Sequence, residues 1–250
     1  MFGALRRWLG GNPERPIVTP ETWAKVEAPL ACLGHLDEAD RLRLRDLAVE
    51  FLARKQFHGA NDFELTDEIM LSIALQACLP VLNLGLEAYR GWVGVVVYPG
   101  DFVVPRRVMD EDGVVHEYDD TVMGEAWDGG PVLVSWFEDP DEVGGVNVVI
   151  HEFAHKLDML NGAVDGLPPL PDDLSRREWA KGMMTAYETL CRLVDRGLPT
   201  FLDPYASQDP AEFFAVASEA FFQEPAGLLA AHPEVYRLLA RFYRQDPAKT

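Results

Sequence analysis

The sequence predicts an α+β fold in which helices dominate and a small mixed β-sheet occupies the middle of the chain. Three observations carry that expectation. The first third repeats apolar residues at helical spacing, the stretch after Gly91 changes to β-branched runs broken by glycine and aspartate, and helical periodicity returns from about Val146.

In order, residues 1–18 read as irregular, and Thr19 then offers an N-cap with Pro20 in the first helical position. From Asp37 to Phe57 a longer amphipathic helix is expected, with Leu44, Leu47, Phe51 and Leu52 at helical spacing and Leu42 before them. Thr66 can cap a third helix, whose first turn places Asp67 and Glu68 at the positive end of the dipole and whose body carries Ile69, Met70, Ile73, Ala74 and Cys78 before Pro80. The stretches WVGVVVYP, VVHEY and PVLVSWF are expected to pair as one small sheet. Beyond the turn EDPDEVGG, a helix over VNVVIHEFAHKLDMLNG runs from about Val146 to a glycine stop at Gly162. A loop rich in proline and glycine from Gly166 to Pro171 leads to a helix over Ser175 to Val194. Another starts at Asp209 with Pro210 in its first turn, and PEVYRLLARFYR forms the last. No repeat or linker divides the chain, so residues 1–250 read as one domain, with residues 1–90 as a candidate helical annex.

The 250 residues are 48% hydrophobic and 25% charged, enough to build a full core. A net charge of -19 argues against direct binding to a phosphate backbone, which requires a basic face, and suits a basic protein partner or substrate. Cys32, Cys78 and Cys191 are far apart in hydrophobic surroundings and read as small core residues rather than a disulfide framework. The first residues lack a signal-peptide apolar region and no apolar run reaches membrane-spanning length, so the expected location is the cytoplasm, with no membrane contact. Trp8 and Leu9 beside Arg6 and Arg7 read as a frayed terminus or a small docking segment.

The chemistry concentrates in HEFAH. His151 and His155 are four residues apart, which on a helix sets both imidazoles on one face, close enough to share a zinc ion, and Glu152 beside them suits activation of a water. A catalytic zinc needs a third protein ligand. A metzincin would carry a glycine at position 158 and a histidine at position 161; Asp158 and Asn161 stand there instead. His232 has no recognisable ligand spacing, which leaves a carboxylate on a second helix. DPYASQDPAEFFAVASEAFF supplies Glu212 and Glu219, seven residues apart on nearly one face, and spacing alone does not choose between them. Asp158 can reach a ligand imidazole from the same helix face; a solvated position near the helix end reads equally well. PVLVSWF is a candidate edge for an extended substrate, or equally a buried central strand.

HEFAHKLDMLNG, DPYASQDPAEFFAVASEAFF and ELTDEIMLSIALQACLPVL together resemble the Mlc titration factor A family of bacterial zinc peptidases, from the helix near Asp37 to Phe222. The order of HExxH, a tyrosine and then a glutamate seven residues later is also similar to the catalytic domain of anthrax lethal factor. The resemblance implies a mainly helical, zincin-like metallopeptidase that binds one zinc ion through His151, His155 and Glu212, with Glu152 as general base and Tyr205 near the metal; manganese or cobalt could replace zinc in such a set. Glu219 becomes an outer residue of the site. The implied substrates are small peptides, with aminopeptidase character as the finer expectation. The alternative role implied is regulatory: binding an Mlc-like repressor, a DNA-binding protein, and drawing it away from its operators.

Overall fold

The computed structural model describes residues 18–109, 115–137 and 146–249. The N-terminal tryptophan and arginines and the turn EDPDEVGG lie outside them. Six of the helices start as their sequences dictate, on a side-chain oxygen that accepts a backbone N–H of the first turn. Thr19 caps α1 (Pro20–Glu27), Asp37 caps α2 (Glu38–Arg54), and Thr66 caps α3 (Asp67–Cys78).

The helix α2 stops three residues short of the expected end. Lys55 is extended, and its ammonium reaches the carbonyls of Tyr89 and Trp92 at 2.6 and 2.7 Å, so the chain enters a strand, β1 (Gln56–Gly59). Pairing with β2 (Gly94–Tyr98) overrides continued helix; QFHG carries no alternation that would announce a strand. VVHEY does not join that sheet. Its described part belongs to β4 (Val115–Val122), paired antiparallel with β3 (Phe102–Met109) as a separate two-stranded ribbon. The remaining strands are β5 (Gly124–Ala126) and β6 (Val132–Ser135), which complete a mixed sheet of order β1-β2-β6-β5. β1, β2 and β6 run parallel, and β5 returns antiparallel along β6. All four residues of β6 are buried, as an interior strand covered on both faces requires. PVLVSWF is therefore the central reading and not an edge; the edge on that side is β5.

The helix α4 (Val148–Asp158) follows, capped by the Asn147 side chain on Ile150 N–H at 2.9 Å and continued by one tight turn to Gly162. It is buried along its whole length, packed on β5 and β6 on one side and on α3 and α6 on others. Phe153 anchors it, with Phe51, Tyr89 and Trp92 at ring centroid distances of 5.6, 5.1 and 5.7 Å. Lys156 ties it to the sheet by donating to the carbonyls of Trp127 and Gly130 in the turn between β5 and β6.

The C-terminal part is helical, with α5 (Arg176–Val194) capped by Ser175 and α6 (Pro210–Gln223) capped by Asp209. A short helix α7 (Pro225–Ala231), not distinguished in the sequence reading, precedes α8 (Pro233–Tyr243). Tyr243 donates to Ser218 Oγ at 2.7 Å and so fixes α8 against α6. Buried residues from Trp23 to Tyr243 make one continuous hydrophobic cluster. Cys32, Cys78 and Cys191 are all free thiols, the first two buried. Among the described residues no helix is long and apolar enough to cross a membrane.

Candidate metal centre

Two helices build the centre. Along α4, the spacing of four turns His151 and His155 to one face, and their Nε2 atoms lie 3.2 Å apart. Across from them α6 begins at Asp209, whose Oδ1 accepts the N–H groups of Ala211 and Glu212. That cap sets the first turn so that Glu212 Oε2 stands 3.0 Å from His151 Nε2 and 3.5 Å from His155 Nε2. One donor atom from each of the three residues lies within 4.8 Å of the others.

Glu219, two turns further along α6, reaches the other side of the same imidazole. Its Oε1 accepts from His151 Nδ1 at 2.6 Å and its Oε2 accepts the Asn147 N–H at 2.9 Å. Asn147 continues inward, donating from Nδ2 to Gln76 Oε1 at 2.8 Å. Glu219 is buried, not solvated, and every one of these contacts fixes the orientation of His151. With its proton on Nδ1, His151 turns a lone pair from Nε2 toward the Glu212 carboxylate. Two electron-rich groups at 3.0 Å repel unless a cation lies between them, and a proton or a metal ion meets that need. In protonation terms, burial would push the His151 imidazole down, but its hydrogen bonds to the Glu212 and Glu219 carboxylates more than reverse this and hold it well above its ordinary value. Burial likewise pushes Glu212 up, yet its bonds to His151 and His155 hold the carboxyl well below the usual range. The donor set, two imidazole nitrogens and a carboxylate, fits a divalent metal.

Glu152 is 5% exposed, and burial raises its carboxyl to about 7 against the opposing pull of the two histidines. The edge strand β5 runs directly over it. Gly124 leaves room where a Cβ would stand 2.3 Å from Glu152 Oε1. Tyr205 sits in a short turn (Pro204–Ser207) ahead of α6, 44% exposed, its ring centroid 6.1 Å from that of His151. These residues and β5 line a cleft of about 810 Å³. Asp158 is fully buried, which removes its solvated alternative. His232 lies elsewhere, beside Phe201 between α7 and α8.

A family model described as glucose-regulated metallo-peptidase M90 matches residues 6–244. The chain belongs to the M90 metallopeptidase family. Relatives include the Mlc titration factor A of Pectobacterium atrosepticum, 38% identical over 96% of this chain and 92% of that protein. The Mlc titration factor A of Serratia proteamaculans is 38% identical over 91% of this chain and 89% of that one. An uncharacterised Synechocystis protein is 37% identical over 94% of this chain and 86% of its own length. The M90 family implies a metal ion, and the only group of metal-capable side chains found among the described residues is His151, His155 and Glu212. Asn147, Gln76 and Gly124 were not singled out from sequence. The position of Asn147 just before the α4 run was a usable capping signal; Gly124 and Gln76 acquire their roles only through tertiary contact.

Proposed function

We propose that this protein is a zinc-dependent peptidase whose metal is held by His151, His155 and Glu212. The observation that carries the reading is the convergence of those three donors beside a buried carboxyl, Glu152, on the floor of an open cleft. A zinc ion there supplies Lewis-acid chemistry, polarising a peptide carbonyl and favouring ionisation of water. Glu152, buried beside the two histidines, takes the proton from the attacking water and returns it to the departing amine. Tyr205, in the wall of the same cleft, donates its phenolic hydrogen to the oxyanion that develops on the carbonyl. Glu219 holds the His151 proton on Nδ1 throughout.

The outer edge of β5 is where an extended peptide would add to the sheet, since Gly124, Glu125 and Ala126 all face the cleft. Aminopeptidase specificity is the finer reading. Six carboxylates and no lysine or arginine line the cleft among the described residues, a field that favours a cationic amino terminus over a carboxyl terminus.

A second reading, regulatory binding of an Mlc-like repressor, is favoured by the names of the relatives and by the net charge of -19, which suits a basic partner in the cytoplasm. The two separate in Glu152→Gln. Elemental analysis of that variant should show near-stoichiometric zinc, with hydrolysis of short chromogenic peptides abolished and repressor capture intact. Hydrolysis that survives the substitution would remove the peptidase reading.

A further inference from the structure

We infer that Asp158 is a positioning residue for the metal centre, orienting His155 with one carboxylate oxygen while the other ties the loop after α4 to the start of the Glu212 helix. The inference rests on the metal reading above. Its starting point is an asymmetry. His151 has its Nδ1 satisfied by Glu219, whereas His155 Nδ1 is buried with no hydrogen-bond partner. One other buried atom on the same helix is in the same condition, Asp158 Oδ1, three residues further on and on the same face. The two atoms are not hydrogen-bonded to each other in this structure, but if His155 offers its Nε2 lone pair to a metal, its proton resides on Nδ1 and needs an acceptor; Asp158 Oδ1 is an acceptor without a donor.

The second oxygen repeats the Glu219 pattern. Glu219 uses one oxygen for His151 and the other for a backbone N–H, that of Asn147. Asp158 uses Oδ2 for the backbone N–H of Gly166 at 2.8 Å. Gly166 has φ +73°, accepts the Trp179 Nε1–H at its carbonyl oxygen at 2.8 Å, and packs so tightly on α6 that a Cβ would lie 2.3 Å from the Pro210 carbonyl oxygen. Pro210 is two residues before Glu212. One carboxylate thus links the helix that presents both histidines to the turn that presents the glutamate.

Asp158→Asn separates the two arms. Its amide oxygen can still accept from Gly166, but its nitrogen cannot accept from His155. Zinc affinity would be measured by competition with a chromogenic chelator, alongside thermal unfolding of the metal-free proteins. D158N is expected to weaken zinc binding by about 10- to 100-fold with the metal-free unfolding temperature little changed. Gly166→Ala leaves both carboxylates in place and displaces the loop from Pro210, and is expected to weaken zinc by about tenfold. Wild-type affinity in both variants would overturn this assignment while leaving the metal reading intact. A wild-type protein that binds no zinc would overturn both.

Discussion

Gly124 on β5 faces the Glu152 carboxylate with no space for a side chain between them; a Cβ at that position would stand 2.3 Å from Oε1 and 2.6 Å from Cγ. The edge strand and the Glu152 carboxyl are therefore in mutual register. Gly124→Ala is expected to displace Glu152 by a substantial fraction of an ångström and to lower kcat by about 10²-fold, the effect of a small misplacement of a reacting group. Steady-state kinetics with zinc content measured in parallel tests this. Zinc should stay stoichiometric, and an unchanged kcat would mean that Glu152 tolerates the shift.

Glu219 accepts from His151 at 2.6 Å, so its loss should be felt at the metal before it is felt in the fold. Glu219→Gln is expected to weaken zinc binding by about 10- to 100-fold. Competition with a chelator reads the change directly, and equal affinity would show that Asn147 and the helix alone orient the imidazole.

Phe153 is fully buried among Phe51, Tyr89 and Trp92, on the face of α4 opposite in function to its histidines. Truncation leaves a cavity at the junction of α2, the sheet and α4. Phe153→Ala should destabilise the protein by about 3–5 kcal/mol, measured by urea unfolding of the metal-free form. A loss below 1 kcal/mol, roughly, would mean that the aromatic cluster collapses around the gap.

Lys55 gives a pH signature away from the metal. Burial pushes its ammonium from 10.5 down to about 8, with further repulsion from Lys156 and Arg54. Because the folded protein releases this proton before the unfolded chain does, the unfolded state binds more protons between about pH 8 and 10.5, and the Lys55 contribution to stability rises with pH across that window. The contribution is lost as pH falls through 8. Lys55→Met should flatten this part of the stability curve while lowering stability through the two abandoned carbonyls of Tyr89 and Trp92. Urea unfolding at a series of pH values compares the slopes; parallel curves would place the shift elsewhere.

Much of the helical frame was legible because its signals are local. Thr19, Thr66, Ser175 and Asp209 each cap a helix within their own next few residues, and Gly162 ends the α4 turn in the same way. HEFAH was legible for the same reason, since four residues on one helix settle the meeting of His151 and His155. The relation of Glu212 to Glu219 was not legible from spacing, and only the family resemblance set Glu212 at the metal and Glu219 outside it. Both lie on one face of α6, and only the crossing of α6 over α4 decides that the first meets Nε2 and the second Nδ1. The strands β1 and β5 were equally hidden, being four and three residues long without alternation and held by their neighbours. VVHEY had a strand signal but no partner signal, and it paired with β3 rather than with the main sheet.

The brevity of β5 has a bearing on what this molecule can safely do among folded proteins. Three residues at about 3.3 Å each make an outer edge only roughly 10 Å long, room for a few peptide units and too short to template another sheet. Folded proteins seldom present a loose extended segment to so short an edge, so on the peptidase reading proposed above a door this narrow would admit loose ends and short fragments and leave intact neighbours alone.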